Sequence, residues 1–103
     1  MIVVSVTYPA SPGTHFDLDY YRNSHIPLVQ SRWSGMGLAG ARFLRGIGAP
    51  GGGPIPTHLV ALLSFESAEH FQRAVERHGK EIMGDIAKFT DAKPVIQLNE
   101  QFE

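Results

Sequence analysis

Hydrophobic and polar positions alternate at the start of the chain: Ile2, Val4, Val6 and Tyr8 fall on one face, Val3, Ser5 and Thr7 on the other. A period of two in β-branched residues predicts a strand. Residues 9–14, which include Pro9, Ser11, Pro12 and Gly13, read as a loop. The period then lengthens. Leu18, Tyr21, His25, Leu28 and Arg32 recur at steps of three and four with Val29 and Trp33 beside them, as on one face of a helix. Asp17 is placed to cap that helix, and Asp19 to meet the positive end of its dipole. Pro27 interrupts the pattern: it has no N–H to donate, its ring crowds the carbonyl of Asn23, and it pushes Ile26 away from helical geometry. A kink at residues 23–26, or two helical pieces meeting there, is expected. Gly35 and Gly37 end the segment.

Residues 38–47 predict a second strand with Ala39, Ala41, Phe43 and Ile47 on one face. Seven of the next nine residues, Gly48 to Pro56, are Gly or Pro. This stretch is a flexible hairpin loop or a mobile lid; a phosphate loop would need a Lys-Ser/Thr pair after it. His58 to Phe65 is the most apolar strand, with Leu59, Ala61, Leu63 and Phe65 opposite Val60 and Leu62. Ser67 is placed to cap a second helix with the stripe Phe71, Ala74, Val75 and His78, expected to stop at Gly79. A further short helix carries Ile82, Met83 and Ile86, with Phe89 closing it, and Lys93 to Glu100 alternates as a last strand.

The order β-α-β-β-α-β is the ferredoxin-like α+β arrangement, a four-stranded antiparallel sheet with both helices on one face. Two helices leave the other face bare, yet Val3, Val60 and Leu62 point there. An antiparallel sheet facing water shows polar residues at such positions. An uncovered apolar patch marks an interface, so the pattern predicts a homodimer with sheet packed on sheet.

Composition narrows the function. The 103 residues suit one domain, residues 1–103. The absence of cysteine excludes a disulfide framework, a zinc–thiolate site, an iron–sulfur cluster and a thiol nucleophile. Nine Lys/Arg against ten Asp/Glu give a net charge of −1 with no basic cluster, so nucleic acid is not an expected partner. The longest apolar run, Leu59 to Leu63, is far too short to span a bilayer. Met1-Ile2-Val3-Val4 reads as strand and not as a secretory leader. A cytoplasmic protein without a membrane partner is expected.

His25 leads the candidate residues. Its place on the helical stripe turns the imidazole toward the sheet, just before the irregularity that Pro27 imposes. There it is either an acid–base group poised near neutral pH or a core histidine satisfied by a backbone carbonyl. Tyr21, one turn earlier, could orient a substrate oxygen or bond to the sheet. His78 stands near a helix C-terminus, where the dipole favours its protonated form. Asp85, among Ile82, Met83 and Ile86, could point inward, whereas Asp91 reads as a solvated cap. His15 and His70 carry no signal, and His58 is ambiguous. No HxH, HxxxH or HExxH spacing occurs, so no metal site is expected. No G-x-S-x-G elbow is present either.

Phe16-Asp17-Leu18-Asp19-Tyr20-Tyr21 followed by His25-Ile26-Pro27-Leu28-Val29 resembles the EthD family, named after ethyl tert-butyl ether degradation. Ser64-Phe65-Glu66-Ser67 also resembles it, as does Glu81-Ile82-Met83-Gly84-Asp85-Ile86 running into Phe89-Thr90-Asp91 and Pro94-Val95-Ile96-Gln97. The resemblance spans essentially the whole chain and is weakest over residues 48–56. It implies a dimeric α+β barrel with a small-molecule pocket between sheet and helices. The superfamily includes cofactor-independent monooxygenases, lactone isomerases and some haem enzymes. His25 matches the family's His-x-Pro motif, and Tyr21 and Asp85 match its flanking motifs. The resulting expectation is a cofactor-free catabolic or secondary-metabolism enzyme that isomerises a lactone or enol, or oxygenates a phenol, with a small apolar or aromatic ligand. In that reading His25 is the acid–base group, Tyr21 orients a substrate oxygen, and Asp85 or His78 adds a polar contact. Trp33 and Phe89 join His78 as substrate-binding residues. The alternatives are a non-enzymatic binding or accessory protein for a partner oxidase, and a haem-binding protein.

Overall fold

Alternating residues at the N-terminus form β1 (Ile2–Pro9), the first of four strands in a computed structural model that describes all 103 residues. With β2 (Leu38–Arg45), β3 (Thr57–Phe65) and β4 (Val95–Asn99) it builds one antiparallel sheet in the order β2-β3-β1-β4. The register sets Val6 between Ala61 and Ile96, and Val4 between Leu63 and Leu98. Pairs directly opposite share a face, so all of these side chains point to the helix-covered side. Ser5, Thr7, Val60 and Leu62 share the bare side, where Leu44 and Val95 are more than half exposed. The apolar side chains expected on that face, Val60 and Leu62 among them, are present, interspersed with Ser5 and Thr7.

Two expectations for β2 need correction. The strand stops at Arg45, and Ile47 is 86% exposed beyond it. A register shift between Leu38 and Gly40 also removes Ala39 from the alternation, leaving Ala41 and Phe43 on the covered face. A bulge inserts one residue and breaks the period of two.

Asp17 caps the first helical run as expected, accepting from the Tyr20 N–H at 3.1 Å. The run contains α1 (Leu18–Tyr20), a π-helical turn at Tyr21–His25 and α2 (Ile26–Trp33). In the π turn the Ile26 N–H reaches back five residues to the Tyr21 carbonyl. The expected kink thus takes the form of a widened turn, which moves the Asn23 carbonyl clear of the Pro27 ring. An extra residue in one turn shifts the face that follows by about 100°. The buried residues are accordingly Tyr21, His25, Val29 and Trp33, and not the continuation through Leu28 and Arg32. Arg32 instead pairs with Glu81 of the second helix, with Nε to Oε1 at 2.7 Å. Gly37, at φ 98°, supplies the left-handed residue that ends this region.

The second helix, α3 (Ala68–Asp85), starts at a Ser67 cap as expected but does not stop at Gly79. Gly79 keeps a negative φ, so no left-handed cap forms, and the two expected helices are one. A 3-10 turn, Ile86–Lys88, follows. It leads into a segment held against the start of the first helical run: the Asp17 N–H donates to the Phe89 carbonyl at 2.7 Å, and Phe16 bridges Thr90. This pinning brings the end of α3 beside the π turn. No helix is long and apolar enough to cross a membrane.

Candidate functional site

Between the covered face of the sheet and the helices lies a cavity of about 300 Å³, and 14 of its 16 lining residues are hydrophobic. An apolar cavity of about 150 Å³ already admits benzene. The floor comes from β1 and β3 through Val6, Tyr8, Ala61 and Leu63, and the roof from α2 and α3. Val75, Met83 and Ile96 line the cavity and are also 40%, 45% and 41% exposed, which places its mouth between α3 and β4.

Its one ionisable nitrogen group is His25, 3% exposed. Nδ1 lies 3.0 Å from Asp85 Oδ2, and the other oxygen, Oδ1, accepts the Tyr20 hydroxyl at 2.7 Å. Lys88 Nζ stands 3.8 Å from Oδ1. Burial would raise the Asp85 carboxyl, but the bonds from His25 and Tyr20 outweigh it and hold the group below its ordinary range. Burial also depresses His25 below its usual value of 6.5, against the opposing pull of Asp85. At neutral pH the pair is therefore an aspartate and a neutral imidazole. The proton sits on Nδ1, facing the carboxylate, and Nε2 presents a lone pair without a partner in the chain. No polar side-chain atom is enclosed without a hydrogen bond, so Nε2 borders open space, and the cavity is the space that His25 lines.

Tyr21 stacks on His25 with ring centroids 5.3 Å apart and shares the cavity wall. The structure thus brings Tyr21, His25 and Asp85 together. Asp85 sits behind the imidazole and is not a lining residue, so its position suits holding the ring instead of adding a second contact. Trp33 lines the cavity, and its indole N–H is spent on the Ala74 carbonyl at 2.9 Å, which leaves an apolar face. Phe89 does not line the cavity as expected. It is fully buried behind His25, with centroids 4.6 Å apart. His78, partly buried on α3, does not line it either. His58 bonds Thr14 and stacks on Phe16, away from the site. No group of three or more metal-ligating side chains gathers anywhere in the chain.

Sequence reasoning passed over two residues of the site, Tyr20 and Tyr8. Tyr20 lay off the stripe, but its place in the Tyr20-Tyr21 pair was a signal. Tyr8 read only as a strand position.

No protein-family model matches the sequence, and no curated protein is similar to it at a significant level. Among solved structures, an EthD-like protein from Ralstonia eutropha JMP134 is 37% identical, with a TM-score of 0.90 over 99% of this chain and 92% of that one. An EthD family protein from Bacillus halodurans C-125 is 21% identical, with a TM-score of 0.70 over 99% of both chains. A DABB family protein with a ferredoxin-like fold from Mesorhizobium loti MAFF303099 is 15% identical, with a TM-score of 0.63 over 99% of this chain and 97% of that one. At those lower identities the last two speak for the fold alone.

Proposed function

The chain belongs to the EthD-like family, and from that premise we propose that it is a small-molecule enzyme that moves a proton within its apolar cavity. The observation that carries this reading is the unpartnered Nε2 of His25, bordering a cavity of about 300 Å³ while Asp85 holds Nδ1. A neutral imidazole oriented by a carboxylate is equipped to remove a proton from a bound carbon acid or enol. The imidazolium formed is stabilised by Asp85, and it can return the proton to a second position, which completes an isomerisation without net change in electrons. Tyr21 is the substrate-orienting group in this scheme. Oxygenation of a phenol would begin with the same deprotonation, molecular oxygen then serving as oxidant.

The test is deuterium uptake. Proton NMR in D₂O should show the chain accelerating exchange at the acidic carbon of 2-tetralone, a neutral bicyclic ketone. His25→Ala should remove roughly 10²–10⁴-fold of that acceleration. Binding without acceleration would instead support a carrier, a reading favoured by the predominance of apolar residues in the wall. Absence of both would overturn a ligand site here.

The partly apolar bare face, with Val60 and Leu62 on a central strand and Leu44 on an edge strand, supports a homodimer through the sheet. Light scattering should give twice the mass of one chain, and a monomer at micromolar concentration would refute the pairing.

A further inference from the structure

We propose that the hydroxyls of Tyr8 and Tyr21, with Nε2 of His25, form an oxygen-recognition site that admits uncharged phenols, ketones or lactones and rejects carboxylates of the same shape. The inference rests on the cavity being the ligand site and adds the charge class of its occupant.

Three observations converge. Tyr8 and Tyr21 are each 2% exposed, line the same cavity and meet edge to face with centroids 6.0 Å apart. The surrounding rings of Phe16 and Phe89 offer them no polar partner, and neither hydroxyl is hydrogen-bonded within the chain. Since no polar side-chain atom is wholly enclosed without a partner, both hydroxyls keep contact with open space. Buried phenols ordinarily find a partner, so two idle donors on residues that line one cavity are a recognition device in want of an acceptor, although Tyr21 also borders a second hollow beside Arg22 and Arg45.

The third observation concerns charge. No Lys or Arg lines the cavity. An entering carboxylate would lose its hydration without gaining a counter-charge, and would approach His25 with the Asp85 carboxylate 3.0 Å behind the ring. Burial also drives both tyrosine hydroxyls far above their ordinary ionisation range, Tyr8 adding to the effect on Tyr21, so both stay protonated donors. A neutral ligand oxygen can accept from them, and an acidic O–H or C–H beside it can face Nε2.

Three fluorescent probes of one skeleton separate the possibilities: naphthalene, 2-naphthol and 2-naphthoate, titrated into the wild-type chain and into Tyr8→Phe. Expected is binding of 2-naphthol roughly 3- to 10-fold tighter than naphthalene, the yield of one net hydrogen bond. Binding of 2-naphthoate should be about 100-fold weaker than that of 2-naphthol. Tyr8→Phe should cut the preference for 2-naphthol over naphthalene by about 3-fold, Tyr21 and His25 keeping the remainder, and continued uptake of naphthalene shows that the variant keeps its cavity. Equal affinity for 2-naphthol and 2-naphthoate, or a Tyr8→Phe variant whose preference for 2-naphthol is undiminished, overturns the inference and leaves the ligand site standing. Failure of all three probes to bind overturns both.

Discussion

At the end of the cavity beneath the π turn, Tyr8, Tyr21, His25 and Phe89 are all 3% exposed or less, and each ring packs against at least two others. At the other end, Val75, Met83 and Ile96 stand 40–45% exposed, on the outward edge of α3 and on an edge strand. The polar atoms of the site lie at the closed end, and the mouth is apolar. Chemistry that depends on orientation needs side chains whose rotamers are locked by packing and hydrogen bonds. Passage needs the reverse, long side chains with open space beside them. One small fold supplies both because its inner strands have a neighbouring strand on each side and its edge strand β4 has one.

That contrast can be broken most severely at the closed end. Phe89→Ala should cost about 3–5 kcal/mol of stability, the range for deleting a buried aromatic ring, measured by urea unfolding. The adjacent loss of His25 orientation should abolish proton exchange in whatever fraction remains folded. A cost near 1 kcal/mol would show that the closed end is looser than its packing.

Asp85→Asn is expected to fall next in size. The amide keeps an acceptor for Nδ1–H but removes the charge that supports the imidazolium, so exchange should slow roughly 10- to 100-fold. The pH dependence of stability sharpens the point. Because His25 is depressed in the folded chain, the unfolded chain binds the proton more readily, so stability is full above pH 6.5 and declines as pH falls below it. Asp85, also depressed, adds a second loss below about pH 3.8. In Asp85→Asn the first decline should steepen, since the group opposing the depression is gone, and the second should disappear. Urea midpoints between pH 3 and 8 would register both changes, and an unaltered profile would sink the coupling.

The smallest effect belongs to the wall nearer the mouth. A methyl added at Gly79 would meet Val75 Cγ1 at 3.0 Å, and Val75 is exposed enough to move aside. Replacing a helical glycine with alanine is worth about 1 kcal/mol, so Gly79→Ala should raise stability by roughly 0.5 kcal/mol after that adjustment. It should also narrow the cavity and weaken naphthalene uptake. A loss of stability would mean that the mouth is as rigid as the closed end.

How much of this was legible in the chain varies with the range of the interaction involved. Strand alternation, the Asp17 and Ser67 caps and the βαββαβ order depend on neighbours within a few residues, and all could be read directly. The inward turn of His25 was legible for the same reason. Gly79 misled because glycine's freedom permits a helix end without requiring one, and α3 runs through it to Asp85. The phase of the second half of the first helical run was lost because Pro27 announces an irregularity but not its form.

From sequence alone came the alternation, the helical periods, the family resemblance and the choice of His25, all properties of local pattern and composition. What the tertiary structure alone decided was the partner of that histidine. Asp85 lies 60 positions away along the chain and reaches Nδ1 because the segment after α3 is pinned to the start of the first helix. Tyr8 likewise became a site residue only when β1 was laid beneath the π turn. Periodicity states which way a side chain faces on its own element, whereas the identity of what it meets is set by how distant elements are brought together.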